Sequence, residues 1–172
     1  MDPFLALVRA LDRHNVRYVV MGVWAANYYA QAARLVFHTE DRDLFLPTDP
    51  DNLVRCWSAC EDAGFDLWSG AEPLDSPRDQ WLAEWVVARR AAVRASDGRG
   101  LEVDLSLVMA DFDFETVWRE RRIFTVEAVE IPVASLLHIV TSKKTLGRDK
   151  DRLFLATYRE AIEELLRREQ SD

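Results

Sequence analysis

The chain has 172 residues, 49% of them apolar and 30% charged, and a formal net charge of −8. That balance supplies both a core and a solvated surface, which excludes a disordered or fibrous chain and favours one domain over two halves each short of core. The acidic balance also excludes a protein that grips long DNA, because displacing condensed counterions needs a concentrated basic face.

The opening residues, MDPFLALVRALDRHN, lack the basic lead and unbroken apolar run of a secretory signal. No stretch approaches the roughly 18 apolar residues that span a bilayer, so a cytosolic protein with no membrane partner is expected. Asp2 followed by Pro3 predicts a helix start, with Phe4, Leu7, Val8 and Leu11 as its apolar face. RYVVMG, ending at Gly22, reads as a short buried strand, and the alanine-rich run from Trp24 to about Arg34 as a helix. DRDLFLP is a second strand stopped by Pro47. Asp49-Pro50 opens a third helix that Gly64 closes, and its Leu53, Cys56, Trp57 and Cys60 form a buried stripe. The two cysteines are therefore expected to pack in the core, reduced, rather than to bind metal. Residues 69–79 read as a surface loop, and WLAEWVVARR fits either helix or strand, with helix favoured.

AAVRAS-DGRG-LEVDLSL predicts a hairpin turning at Asp97-Gly98. A short helix over Phe114 to Arg121 and a strand pair near FTVEAVEIPV follow, and one last helix runs from about Asp149 to Arg168. No internal repeat, P-loop or Ser-His-Asp ordering is visible, and His14, His38 and His138 lack zinc spacing.

The acids carry the chemistry. In TEDRDLFL, strand alternation sends Asp41 and Asp43 to one face, roughly 7 Å apart, and Arg42, Leu44 and Leu46 to the other. In LEVDLSL, Leu101, Val103, Leu105 and Leu107 share the core face and Asp104 lies opposite. If the strands are neighbours, three carboxylates meet on a face that must be open to water or hold cations, since burying uncompensated acids is costly. Hard oxygen donors of this kind suit Mg²⁺ or Mn²⁺. Gly22, where a strand runs straight into a helix, leaves free backbone N–H groups suited to phosphate.

With RYVVMGVWAANYY, then HTEDRDLFL, then LEVDLSL in this order, the chain resembles the DNA polymerase β-like nucleotidyltransferase superfamily. Its small prokaryotic branch of minimal and abortive-infection-type enzymes is the closer likeness. The stretch from IPVASLLHIVTSKKTLGRDKD onward is similar to that branch's closing helices. The resemblance implies an α/β (α+β) nucleotidyltransferase fold: a small mixed β-sheet with helices packed on one face, and a C-terminal helical part over about 135–172 of a single domain.

It further implies that Gly22 approaches the nucleotide phosphates, and that Asp41 and Asp43 bind both metals. Asp104 would bind one metal and activate the acceptor hydroxyl. Lys143, with Lys144 behind it, would steady the triphosphate. Arg148, Lys150 and Asp151 match the closing motif, where a role in tying down the last helix is an equal alternative. Thr39 would cap or orient the Asp41 strand. One departure is Val23, which stands where the family has a second small residue; Trp24 after it either packs in the core or stacks on a base.

The implied reaction is metal-dependent transfer of a nucleoside monophosphate from an NTP to a protein, RNA or small-molecule hydroxyl. The alternative is a catalytically degenerate, antitoxin-like regulatory module of the same fold. A metal-dependent glycosyltransferase, which also uses Asp-x-Asp, needs more parallel strands than are legible here.

Overall fold

The computed structural model describes residues 1–171. Helix α1 (Pro3–Arg13) starts where the Asp2 carboxylate accepts hydrogen bonds from the backbone N–H groups of Phe4 (2.8 Å) and Leu5 (3.2 Å). Strand β1 (Val19–Met21) runs directly into α2 (Gly22–Ala30), which tightens into a 3₁₀ turn at Gln31–Ala33. Strand β2 (Arg42–Phe45) leads to α3 (Pro50–Asp62), whose Leu53, Cys56, Trp57 and Cys60 are buried, both thiols free. Residues 69–79 are not wholly loop. Strands β3 (Asp66–Ser69) and β4 (Glu72–Pro73) pair there around a turn at Gly70.

Helix α4 (Gln80–Arg89) precedes the expected hairpin of β5 (Val93–Ser96) and β6 (Glu102–Ser106). The Asp97 carboxylate closes the turn by accepting from the backbone N–H groups of Arg99 and Leu101. Helix α5 (Phe114–Arg119), strands β7 (Arg122–Val126) and β8 (Val129–Val133), and helices α6 (Leu136–Leu146), α7 (Asp149–Thr157) and α8 (Arg159–Ser171) complete the chain. The single last helix read from the sequence is thus two. It breaks at Tyr158, whose ring turns onto Phe37 (4.8 Å between centroids) and Phe154 (5.3 Å). Phe37 is itself buried, and its backbone N–H and C=O are both bonded to the Asn27 side chain.

All eight strands form one mixed sheet in the order β4-β3-β5-β6-β2-β1-β8-β7. The pairs β2–β6 and β1–β8 are parallel, and the rest antiparallel. Alternation along the strands sorts the faces. Val20, Leu44, Val103 and Leu105 are buried on one, where Arg42 stacks on Phe4 of α1 and on Trp24. Asp43 and Asp104 stand on the other, next to the C-terminal helix α6. The buried apolar residues make one cluster spanning the elements from α1 to α8. Each fully buried Leu or Phe in it contributes about 1.5–3 kcal/mol of transfer free energy. No helix among the described residues is long and apolar enough to cross a membrane.

Candidate active site

The site begins at a backbone constraint. Gly22 has φ +79°, and a Cβ placed there would stand 2.8 Å from Asp43 Oδ2. Only glycine allows both that backbone and that approach. The turn aims the start of α2 at the acids, and no side chain caps its first N–H groups. Gly22→Ala is expected to cost at least about 1 kcal/mol and to push the Asp43 carboxylate aside. A thermal melt together with the Asp43 side-chain NMR shift checks both effects, and an unchanged shift would refute the close approach.

Parallel pairing of β2 with β6 sets Asp43 directly beside Asp104, and β1 sets Met21 beside Asp43. Asp43 is partly buried, and its pKa is pushed up to about 6. Burial does most of this, followed by the charge and hydrogen bond of Asp104 and the charge of Asp41, with Lys143 opposing. Two carboxylates abutting with one of them desolvated are poorly compensated by the protein alone. Asp104 is about half exposed, and its Oδ1 accepts from Arg94 Nε at 2.8 Å, while Arg94 Nη1 reaches Glu102 at 3.1 Å.

Asp41 does not join the pair as closely. It precedes β2, its side chain is exposed, and its nearest cation is Lys150 at 4.0 Å. Thr39 Oγ1 accepts from the Asp41 N–H at 3.2 Å, which fixes this approach to the strand. Among the described residues no group of three or more His, Cys, Asp or Glu side chains gathers as a metal-holding set. The fold thus brings Asp43 and Asp104 side by side and leaves Asp41 at the mouth.

The opposite wall is basic. A cleft of about 430 Å³ runs from Gly22, Asp43 and Asp104 to Lys143 and Arg148, with Met109 and Leu146 on its apolar side. Lys143 is buried in the last turn of α6, and its Nζ donates to Asp151 Oδ1 at 3.0 Å. Arg148 grips the same carboxylate with Nε (2.6 Å) and Nη2 (3.1 Å). Lys144 instead borders a groove between α6, α7 and α8, so of the two lysines only Lys143 faces the acids.

A second hollow, of about 130 Å³, opens between Asp41, Glu40 and Glu102 and shares Arg94 and Asp104 with the cleft. A larger space of about 600 Å³ near Tyr28, Phe124 and α8 lies away from these acids, and its Arg122 and Arg167 are paired with Glu169 and Glu164.

Several sequence-level alternatives resolve. Trp24 packs edge-on to Phe4 and lies under the Arg42 guanidinium at 3.8 Å, so it belongs to the core side rather than to a base. Val23 likewise packs against the core. His14 pairs with Asp62, His138 with Glu120, and His38 is exposed. Arg94 escaped the sequence reading, although counting back across the Asp97-Gly98 turn places it opposite Asp104.

Fold and site together define a mixed α/β protein whose central parallel strands present a carboxylate pair beneath a glycine-led strand-to-helix turn. No family model matches the chain. No curated protein matches it either. Among solved structures it is similar to ANT(2″)-Ia, crystallised in complex with adenylyl-2″-tobramycin, at 15% identity and a TM-score of 0.48 over 96% of this chain and 94% of that one.

Proposed function

We propose that the chain is a metal-dependent nucleotidyltransferase that moves a nucleoside monophosphate from an NTP to an acceptor hydroxyl. The observation that carries this reading is the in-register pair Asp43–Asp104, set under Gly22 and facing Lys143 and Arg148 across one cleft. The donor set is carboxylate oxygen alone, which fits Mg²⁺ or Mn²⁺. Mg²⁺ is usually held by one or two carboxylates and completed by water and substrate phosphates, so two converging acids suffice. When bound, such an ion supplies charge neutralisation for the triphosphate and lowers the pKa of a coordinated hydroxyl.

The chain's own groups divide the remaining work. The first N–H groups of α2, after Gly22, hold phosphate oxygens. Lys143 and Arg148, fixed by Asp151, steady the β- and γ-phosphates that leave as pyrophosphate. Asp104, which faces both the cleft and the adjoining hollow, takes the acceptor's proton as its oxygen attacks the α-phosphorus and the bridge to the β-phosphate breaks. Asp41 adds negative charge at the mouth for the metal. The apolar side at Met109 and Leu146 limits water there.

A second reading, a fold that binds without chemistry, is favoured by Val23 at the position of the family's second small residue. Labelled ATP, CTP, GTP and UTP with Mg²⁺ or Mn²⁺, offered against protein, small-RNA and small-molecule hydroxyl acceptors, separate the two. Transfer that Asp104→Asn abolishes is the expected result. Metal-dependent nucleotide binding without transfer selects the second reading, and neither binding nor transfer overturns both.

A further inference from the structure

We propose that Arg94 is a built-in counter-ion that competes with a divalent cation for Asp104. The inference rests on the nucleotidyltransferase reading of the same acids. The hairpin register places Arg94 directly opposite Asp104, and its Nε donates to Asp104 Oδ1 at 2.8 Å. Glu102, two residues earlier on β6, accepts from Nη1 at 3.1 Å and braces the guanidinium from the side. Lys143 faces the same cleft but its hydrogen bond goes to Asp151, not to Asp104. Arg94 and Asp104 both line the cleft and the smaller hollow, so the guanidinium stands at the seam between the two spaces.

A fixed positive charge in hydrogen-bond contact occupies one lone-pair direction of a ligand oxygen and repels an incoming dication. Arg94 is half exposed, so solvent moderates the repulsion to a factor of about three to ten in affinity. Phosphate offers a guanidinium a better bidentate partner than one carboxylate oxygen does. Arrival of a triphosphate therefore draws Arg94 off Asp104, and the ligand oxygen is freed when the nucleotide is in place.

Mn²⁺ titration of the full chain, without nucleotide, tests this in the wild type and in Arg94→Gln, Arg94→Lys and Asp104→Asn, with folding checked by circular dichroism. The expected result is roughly fivefold tighter Mn²⁺ binding in Arg94→Gln, near wild-type binding in Arg94→Lys, and a large loss in Asp104→Asn. Unchanged or weaker binding in Arg94→Gln overturns the proposal and leaves the transferase reading standing. A wild-type chain that takes up no Mn²⁺ with or without any of the four nucleotides overturns both.

Discussion

Asp43→Asn is expected to abolish nucleotidyl transfer, by on the order of a thousandfold, while making the metal-free protein more stable. The two effects have one cause. Burial, reinforced by Asp104, lifts the Asp43 pKa to about 6, against about 3.9 for an unfolded aspartate. The folded chain therefore binds a proton more tightly than the unfolded one between these values. Stability falls as pH rises through that window and stays lowered above it. Holding Asp43 ionised at pH 8 costs on the order of 2–3 kcal/mol, which the neutral amide avoids. In EDTA at pH 8 the variant should melt roughly 5 °C higher, and it should lack the wild type's decline between about pH 4 and pH 6. A lower melting temperature, or retained transfer, would contradict this account.

Asp151→Ala should have the largest effect on stability. The Asp151 side chain is fully buried, and burial alone would raise its pKa. Hydrogen bonds and charges from Arg148 and Lys143 instead hold it down to about 2. A carboxylate so stabilised contributes to the fold above its unfolded value near 4, and the contribution is lost as pH drops toward 2. Removing it leaves the buried Lys143 ammonium without its hydrogen-bonded counter-charge, a loss of about 3–5 kcal/mol and roughly 10 °C in melting temperature. Lys143→Met should cost less, because Arg148 still satisfies Asp151, yet it should impair transfer. Urea melts of both variants decide the order, and equal stabilities would show that Asp151 is not what holds Lys143.

Much of this was legible in the sequence because strand alternation is strict. DRDLF and EVDLS announce which side chains share a face, and Leu44, Val103 and Leu105 go to the core as their spacing requires. Asp41 was harder. It has the right parity, but β2 begins one residue later, and parity outside a strand fixes nothing. Strands β3 and β4 were hidden by Gly70 and Pro73, residues that ordinarily signal loop. The β7–β8 turn uses Glu127 and Ala128, both at positive φ, where Asn-Gly would have been the recognisable pair. Helix α4 read ambiguously because Trp81 and Trp85 point outward and blur its periodicity. The choice between Lys143 and Lys144 needed the direction in which α6 faces, which no single strand pattern supplies.

Phe37 couples distant parts of the chain. Asn27 pins its backbone, its ring packs edge-on against both Phe154 and Tyr158, and Asp41 lies only four residues further along. Lys150, in the first turn of α7, faces that acid from the other side. The early loop and the late helices therefore form a single jaw. Asp41 is thus held at the cleft's rim by a loop that the C-terminal helices anchor through Phe37, so trimming Phe154 or Tyr158 would loosen the rim as well as the core.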